Sequence, residues 1–214
     1  VPPASLRRRL TGSSRRALLD AARAQFTEHG YRGTSLDAVV AAADLTKGAL
    51  YHHFSGKQAV FEAVFAQVEA DATQTVRDAV DGVEDPWEAA LAGLRAFLVV
   101  VRQPAYQRVV MQEGPATLGH ERFREQEERS SYALVREVVG RVLEVSGDDL
   151  DDAMRETFSR IIFGAVQAAG EDVSTAPDPA AAVRRVEAAI GFLLAGVRQL
   201  ADQGVTLTDP CQPD

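Results

Sequence analysis

Within residues 34–57, TSLDAVVAAADLTKGALYHHFSGK, three helix starts fall inside 24 residues, so the stretch can fold only as short helices joined by tight turns. Thr34 is placed to cap a first helix with Asp37 three residues on, and Leu36, Val39, Val40 and Ala43 repeat at helical spacing along one apolar face. Asp44 and Leu45 make the turn. Thr46 is placed to cap a second helix running to about His53, with Leu50 and Phe54 facing inward and Lys47, Tyr51 and His52 facing out. Ser55 and Gln58 form a capping box for a third helix.

An element entering the major groove of DNA needs an exposed face bearing donors, acceptors and cations, and a helix start near phosphates. Residues 46–57 supply both, which makes the segment a helix-turn-helix candidate. The net charge of −8 argues against nucleic acid if taken alone, so its distribution decides more than its sum. Residues 1–57 carry nine Arg or Lys against four Asp or Glu, a balance of +5, whereas the remainder stands at −13. A basic head on an acidic body orients a molecule toward DNA and keeps the body off it. Arg7, Arg8 and Arg9 by themselves also fit a merely solvated run, and Arg7–Arg16 reads either as an arm along the DNA or as a free one.

At 214 residues, 46% hydrophobic and 25% charged, the chain suits one large globular domain or two small ones. No run of eighteen apolar residues occurs and no apolar segment follows the N-terminal arginines, so neither a membrane span nor a signal peptide is expected, and the placement is cytoplasmic. Cys211, the single cysteine, permits no internal disulfide and no thiolate metal cluster; it reads as a free surface thiol. Adjacent His52 and His53 diverge by about 100° on a helix, which disfavours a shared metal. No cofactor is implied.

The fold class is all-α, with about nine helices: the β-branched runs sit inside helical repeats rather than alternating with polar residues. A first helix is expected over about 14–29, with Leu18, Ala22 and Phe26 inward and Gly30 as its C-terminal cap. A long helix from about Lys57 carries Val60, Phe61, Val64 and Val68 and links head to body. Asp85-Pro86, Gln103-Pro104 and Asp178-Pro179 mark later starts, and body helices are expected near 86–102, 104–113, 118–145, 149–170 and 179–203. Gly114-Pro115, Ser146-Gly147 and 171–178 are the connections. The organisation is thus a basic arm over 1–13, a three-helix head over 14–57, a larger helical body over 58–204 and a tail over 205–214.

Two stripes in the body suit association. Phe158, Ile161, Ile162, Ala165 and Ala169 form one, and Val183, Val186, Ile190, Leu193, Val197 and Leu200 the other, each beside small residues that admit close helix approach. Packing within one subunit is the competing reading. A cavity in such a body would be lined by Phe97, Val101, Met111, Phe123, Met154 and Phe163, although plain core is the stronger reading for most of them. Glu127 and Ser131 intrude on the stripe Phe123, Leu134, Val138 and Val142, and polar groups there need partners: a ligand, an internal arginine or water.

The segment GYRGTSLDAVVAAADLTKGALYHHFSGKQAVFEAV resembles the N-terminal DNA-binding domain of the tetracycline-repressor-like (TetR) family, through Gly30, Thr34, LTKGALYHHF and the Phe54-x-x-Lys57 spacing. One departure is Asp44, where the family commonly has glycine; Asp tolerates a left-handed backbone better than most residues. The resemblance implies groove contacts by Lys47, Gly48, Tyr51 and His52 and DNA-backbone contacts by Thr34, Ser35, His53 and Lys57. The chemistry agrees: Lys47 can donate to guanine or phosphate, Gly48 allows close approach, and the Tyr51 hydroxyl can hold a phosphate oxygen. A reader this small touches few bases, so specificity calls for two copies on a palindromic operator of double-stranded DNA. The resemblance further implies a homodimeric repressor released by a small-molecule effector in the body. The alternatives are an all-helical small-molecule binding protein or enzyme, or a regulator without a ligand. Against an enzyme, the sequence offers no nucleophile and base at meaningful spacing, no phosphate loop and no metal motif.

Overall fold

The computed structural model describes residues 4–145 and 150–205, and among these it is helical with no strand. Ser146-Gly147, Cys211 and the tail from 206 lie outside the described residues. The helices are α1 (Ala4–Gly33), α2 (Leu36–Ala42), α3 (Lys47–His53), α4 (Lys57–Val80), α5 (Pro86–Val100), α6 (Gly114–Leu118), α7 (His120–Arg129), α8 (Ser131–Val145), α9 (Asp152–Thr175) and α10 (Pro179–Asp202), with a π-helical segment, Tyr106–Glu113, before α6. Two compact units result: Val1–Ala70 with Pro104–Gln126, and Asp71–Gln103 with Glu127–Asp214. The helix α4 is shared between them.

In the first unit Leu18, Ala22, Phe26, Val39, Leu50, Val60, Phe61, Val64 and Phe65 are buried. Phe26 and Tyr31 both meet the ring of Phe61 edge to face, at 5.2 and 5.3 Å between centroids, a geometry that aromatic quadrupoles favour. The first helix starts at Ala4, ten residues ahead of the expected Ser14, since Leu and Arg over 6–10 are good helix formers and Gly12 is tolerated. Gly30 interrupts it with φ 70 and ψ 176, a conformation essentially reserved for glycine. A Cβ there would also run into Arg108 and Glu113 of the π-helical segment. That contact, together with Phe65 and Phe123 closing on Gly114, makes the head's compact unit larger than residues 14–57: it takes in 104–126.

The second unit is built on α5, α8, α9 and α10. Two of its helix starts are those the Asp-Pro pairs mark: Asp85 accepts from the Trp87 N–H at 2.8 Å and Asp178 from the Ala181 N–H at 3.0 Å. The bond from the Trp87 N–H, with Arg198 beside it, holds the Asp85 carboxyl below its usual pKa. Asp151 caps α9 in the same way. Arg141 donates to the Val83 carbonyl at 2.6 Å, and Arg77 pairs with Glu137 at 3.0 Å.

Three further expected boundaries differ. The segment 118–145 is not one helix: Gly119, at φ 77, precedes α7, and a turn at Ser130 separates α7 from α8. Phe123 is the sole apolar side chain of α7, so no buried stripe holds it in line with α8. Gly114-Pro115 is helical rather than a connection, because Pro115 occupies the first turn of α6, where no N–H is required. The ninth helix runs on to Thr175, past Gly170. That glycine is a site of close approach, since a Cβ would stand 3.0 Å from the Phe97 ring.

Gly30→Ala is expected to cost about 1–3 kcal/mol through backbone strain alone, lowering the thermal midpoint by several degrees. For Asp85→Ala the loss of stability should be largest near neutral pH. A carboxylate with a lowered folded pKa contributes above its unfolded value of 3.8 and loses that contribution as pH falls through the folded one, so variant and wild-type melting curves should converge in acid.

Candidate nucleic-acid interface

The second and third helices are each seven residues long and each begins on a hydroxyl cap. Ser35, not Thr34, caps α2 by accepting from the Ala38 N–H at 3.1 Å; Thr46 caps α3 by accepting from Ala49 at 3.2 Å. The turn between them closes on Asp44 at φ 52, the left-handed conformation that Asp accommodates. Leu50 and Phe54 are buried, and they orient α3 so that Lys47, Gly48, Tyr51 and His52 are exposed, Tyr51 at 58%. Donors, a cation and an open backbone thus share one outward face.

Thr34 is a correction. It is 3% exposed, and its hydroxyl lies 2.8 and 3.0 Å from the carbonyls of Gly30 and Gln25, so it ties the end of α1 to the start of α2 instead of meeting DNA. The capping box at α4 is another. The helix starts at Lys57 behind Gly56, and Gln58 turns its amide forward to Glu62 instead of back to Ser55.

Lys57 places its ammonium 4.5 Å from the centre of the Tyr31 ring, a cation–π contact at the start of α4. Arg15 from α1 lies 5.4 Å over the Phe54 ring. His53 is half-buried; burial first, then His52 and Arg15, push its pKa below the ordinary 6.5. The neutral imidazole is favoured in the folded head, and its contribution to stability is lost only as pH falls from 6.5 through the lowered value. Lys47 pairs with Asp37 of α2 at 2.6 Å.

The residues expected to line a cavity divide between the two compact units. Met111 and Phe123 belong to the first unit, while Phe97, Val101, Glu127, Ser131, Met154 and Phe163 belong to the second. Val101 is fully buried and Met154 is exposed at the start of α9. Phe163 meets Tyr132 edge to face at 5.3 Å, and Glu127 accepts a hydrogen bond from Gln167. Of the association stripes, Ile161, Ile162, Ala165, Leu193 and Val197 are exposed, Phe158, Val186 and Ile190 are half-buried, and Ala169 is buried within its own unit. Phe192, 80% exposed beside Leu193 at 65%, is absent from the sequence stripes. Its signal was the unbroken apolar run Ile190–Val197, which gives α10 apolar surface beyond one stripe.

A short capped helix presenting donors and a cation beside a supporting helix defines the class of helix-turn-helix DNA-binding proteins. The family model for the N-terminal domain of bacterial regulatory proteins of the tetR family matches residues 18–64, and that for the tetracyclin repressor-like C-terminal domain matches residues 87–197. The second match alone spans more than half the chain, and the protein belongs to the TetR family. The probable acrEF/envCD operon repressor of Escherichia coli is 30% identical over 102 residues, 45% of this chain and 46% of that protein. The chain spans between about a third and about half of the length of such curated relatives. A TetR-family transcriptional regulator from Pectobacterium atrosepticum has the same fold at 29% identity and TM-score 0.73, covering 89% of this chain and 96% of the other. AibR, solved with isovaleryl coenzyme A and operator DNA, aligns at TM-score 0.60 and 19% identity over 83% of this chain and 95% of its own.

Tyr51→Ala is expected to abolish sequence-specific DNA binding while leaving the melting curve unchanged, since the ring is exposed; a collapsed head would instead assign Tyr51 to the core. Lys57→Ala should reduce the log–log salt slope of binding by about one unit. An unchanged slope would confine Lys57 to its contact with Tyr31.

Proposed function

We propose that the protein is a homodimeric, ligand-responsive transcriptional repressor that binds a palindromic operator. The observation that carries this reading is the outward face of α3, where Lys47, Gly48, Tyr51 and His52 stand exposed on a helix anchored by buried Leu50 and Phe54. Ser35, His53 and Lys57 flank it as DNA-backbone contacts. Residues of this type reach base edges and phosphates together, and seven helical residues read few base pairs, so a second copy supplies the remaining specificity.

Support for two-fold assembly comes from the exposed apolar surface of α9 and α10: Ile161, Ile162, Phe192, Leu193, Val197 and Leu200. Large apolar side chains left exposed on two contacting helices are the kind of surface that marks an interaction site. Gly164, Gly191 and Gly196 have open space where a Cβ would stand, which leaves room for a partner helix to approach closely.

The effector reading rests on the acidic body and on family membership, with AibR as a fold neighbour solved with both a small molecule and operator DNA. Phe97, Ser131 and Phe163 are the candidate contacts within the second unit. Because α4 belongs to both units, a ligand that prefers one arrangement of the body can bias the spacing of two heads that must meet successive grooves about 34–36 Å apart.

Selection of bound sequences from random duplex DNA is expected to return a palindrome, which tests DNA reading and two-fold symmetry together; no enrichment would refute the reading. Replacing Phe192 and Leu193 together by Glu should convert the dimer to a folded monomer in sedimentation and remove operator binding. A dimer that survives this substitution would place the interface elsewhere.

A further inference from the structure

Lys47 occupies the first position of α3, where a lone ammonium is disfavoured by the positive end of the helix dipole. Its partner is not on α3. Asp37, in the first turn of α2, closes a 2.6 Å ion pair with it across the turn, and both side chains remain more than half exposed. The hydrogen bond to Asp37, followed by that carboxylate's charge, pushes the Lys47 ammonium's pKa up. The head therefore places a carboxylate beside a groove-facing cation in a unit otherwise rich in positive charge.

We infer that Asp37 is a specificity-determining residue, holding the Lys47 ammonium toward base edges and denying it to phosphates. This rests on the reading of α3 as the DNA reader. An ammonium has three donors, so Lys47 can keep one on Asp37 and direct another to a base acceptor such as guanine N7 or O6. On a random duplex no base acceptor is matched, and the same ammonium gains most by contacting phosphate. There Asp37 opposes binding twice, by competing for the ammonium and by repelling the phosphate. An exposed pair exerts a modest effect, so the preference it confers is roughly two- to fivefold per head.

The test measures binding of the full chain to its selected palindrome and to a random duplex over a range of salt concentrations. Asp37→Asn should tighten random-duplex binding roughly two- to fivefold per head and steepen its salt slope by about one unit per head, with operator affinity unchanged or slightly weaker. Asp37→Glu keeps the charge and should behave as wild type. In a Lys47→Ala background the loss of discrimination caused by Asp37→Asn should largely disappear. The same loss in that background would make Asp37 a bulk-charge effect and overturn the inference, as would equal weakening on both duplexes. Failure of the wild-type protein to select any sequence would instead sink the DNA-reading assignment, and this inference with it.

Discussion

The recognition surface depends on burying Leu50 and Phe54. Seven residues make two turns, too few for an isolated helix to hold its shape in water, because nucleation costs more than so short a run of hydrogen bonds returns. The third helix therefore exists because those two side chains are driven into a core that α1 and α2 also line. The same burial aims Lys47, Gly48, Tyr51 and His52 outward. The caps at Ser35 and Thr46 set where each helix starts, while the core sets which way it faces.

Around that core, polar and charged groups divide between holding the head together and meeting DNA. Thr34 has the chemistry of a phosphate contact, yet its hydroxyl is spent on two backbone carbonyls at the junction of α1 and α2. Lys57 is engaged with Tyr31, a ring that is itself fixed by Phe61. Lys47 is held by Asp37 across the turn. Each of these assignments follows from which side chains the packing brings within reach.

The glycines show the same division of labour. Gly30 adopts a backbone that other residues resist, and it lets Arg108 and Glu113 approach where a side chain would block them. Gly170 sits inside regular helix and admits the Phe97 ring and Val101. In sequence both look like helix stops, and only the neighbours that pack on them separate the two roles.

Much of the architecture was legible in the chain because its signals are local. The Asp-Pro starts at 85–86 and 178–179, the hydroxyl cap at Thr46, the inward spacing of Leu50 and Phe54 and the left-handed Asp44 all act over a few residues, as does the motif that identifies the family. What sequence could not carry was set by contacts between distant residues. Those contacts put 104–126 in the same compact unit as the reader helices, broke 118–145 where α7 lacked a buried stripe, and left Phe192 exposed. The sequence by itself determined the helix starts at Thr46, Asp85 and Asp178 and which chemistry the head displays, since capping and periodicity are short-range. Only the tertiary structure decided which of those polar groups are free to meet a partner, because burial and pairing depend on residues far apart in the chain.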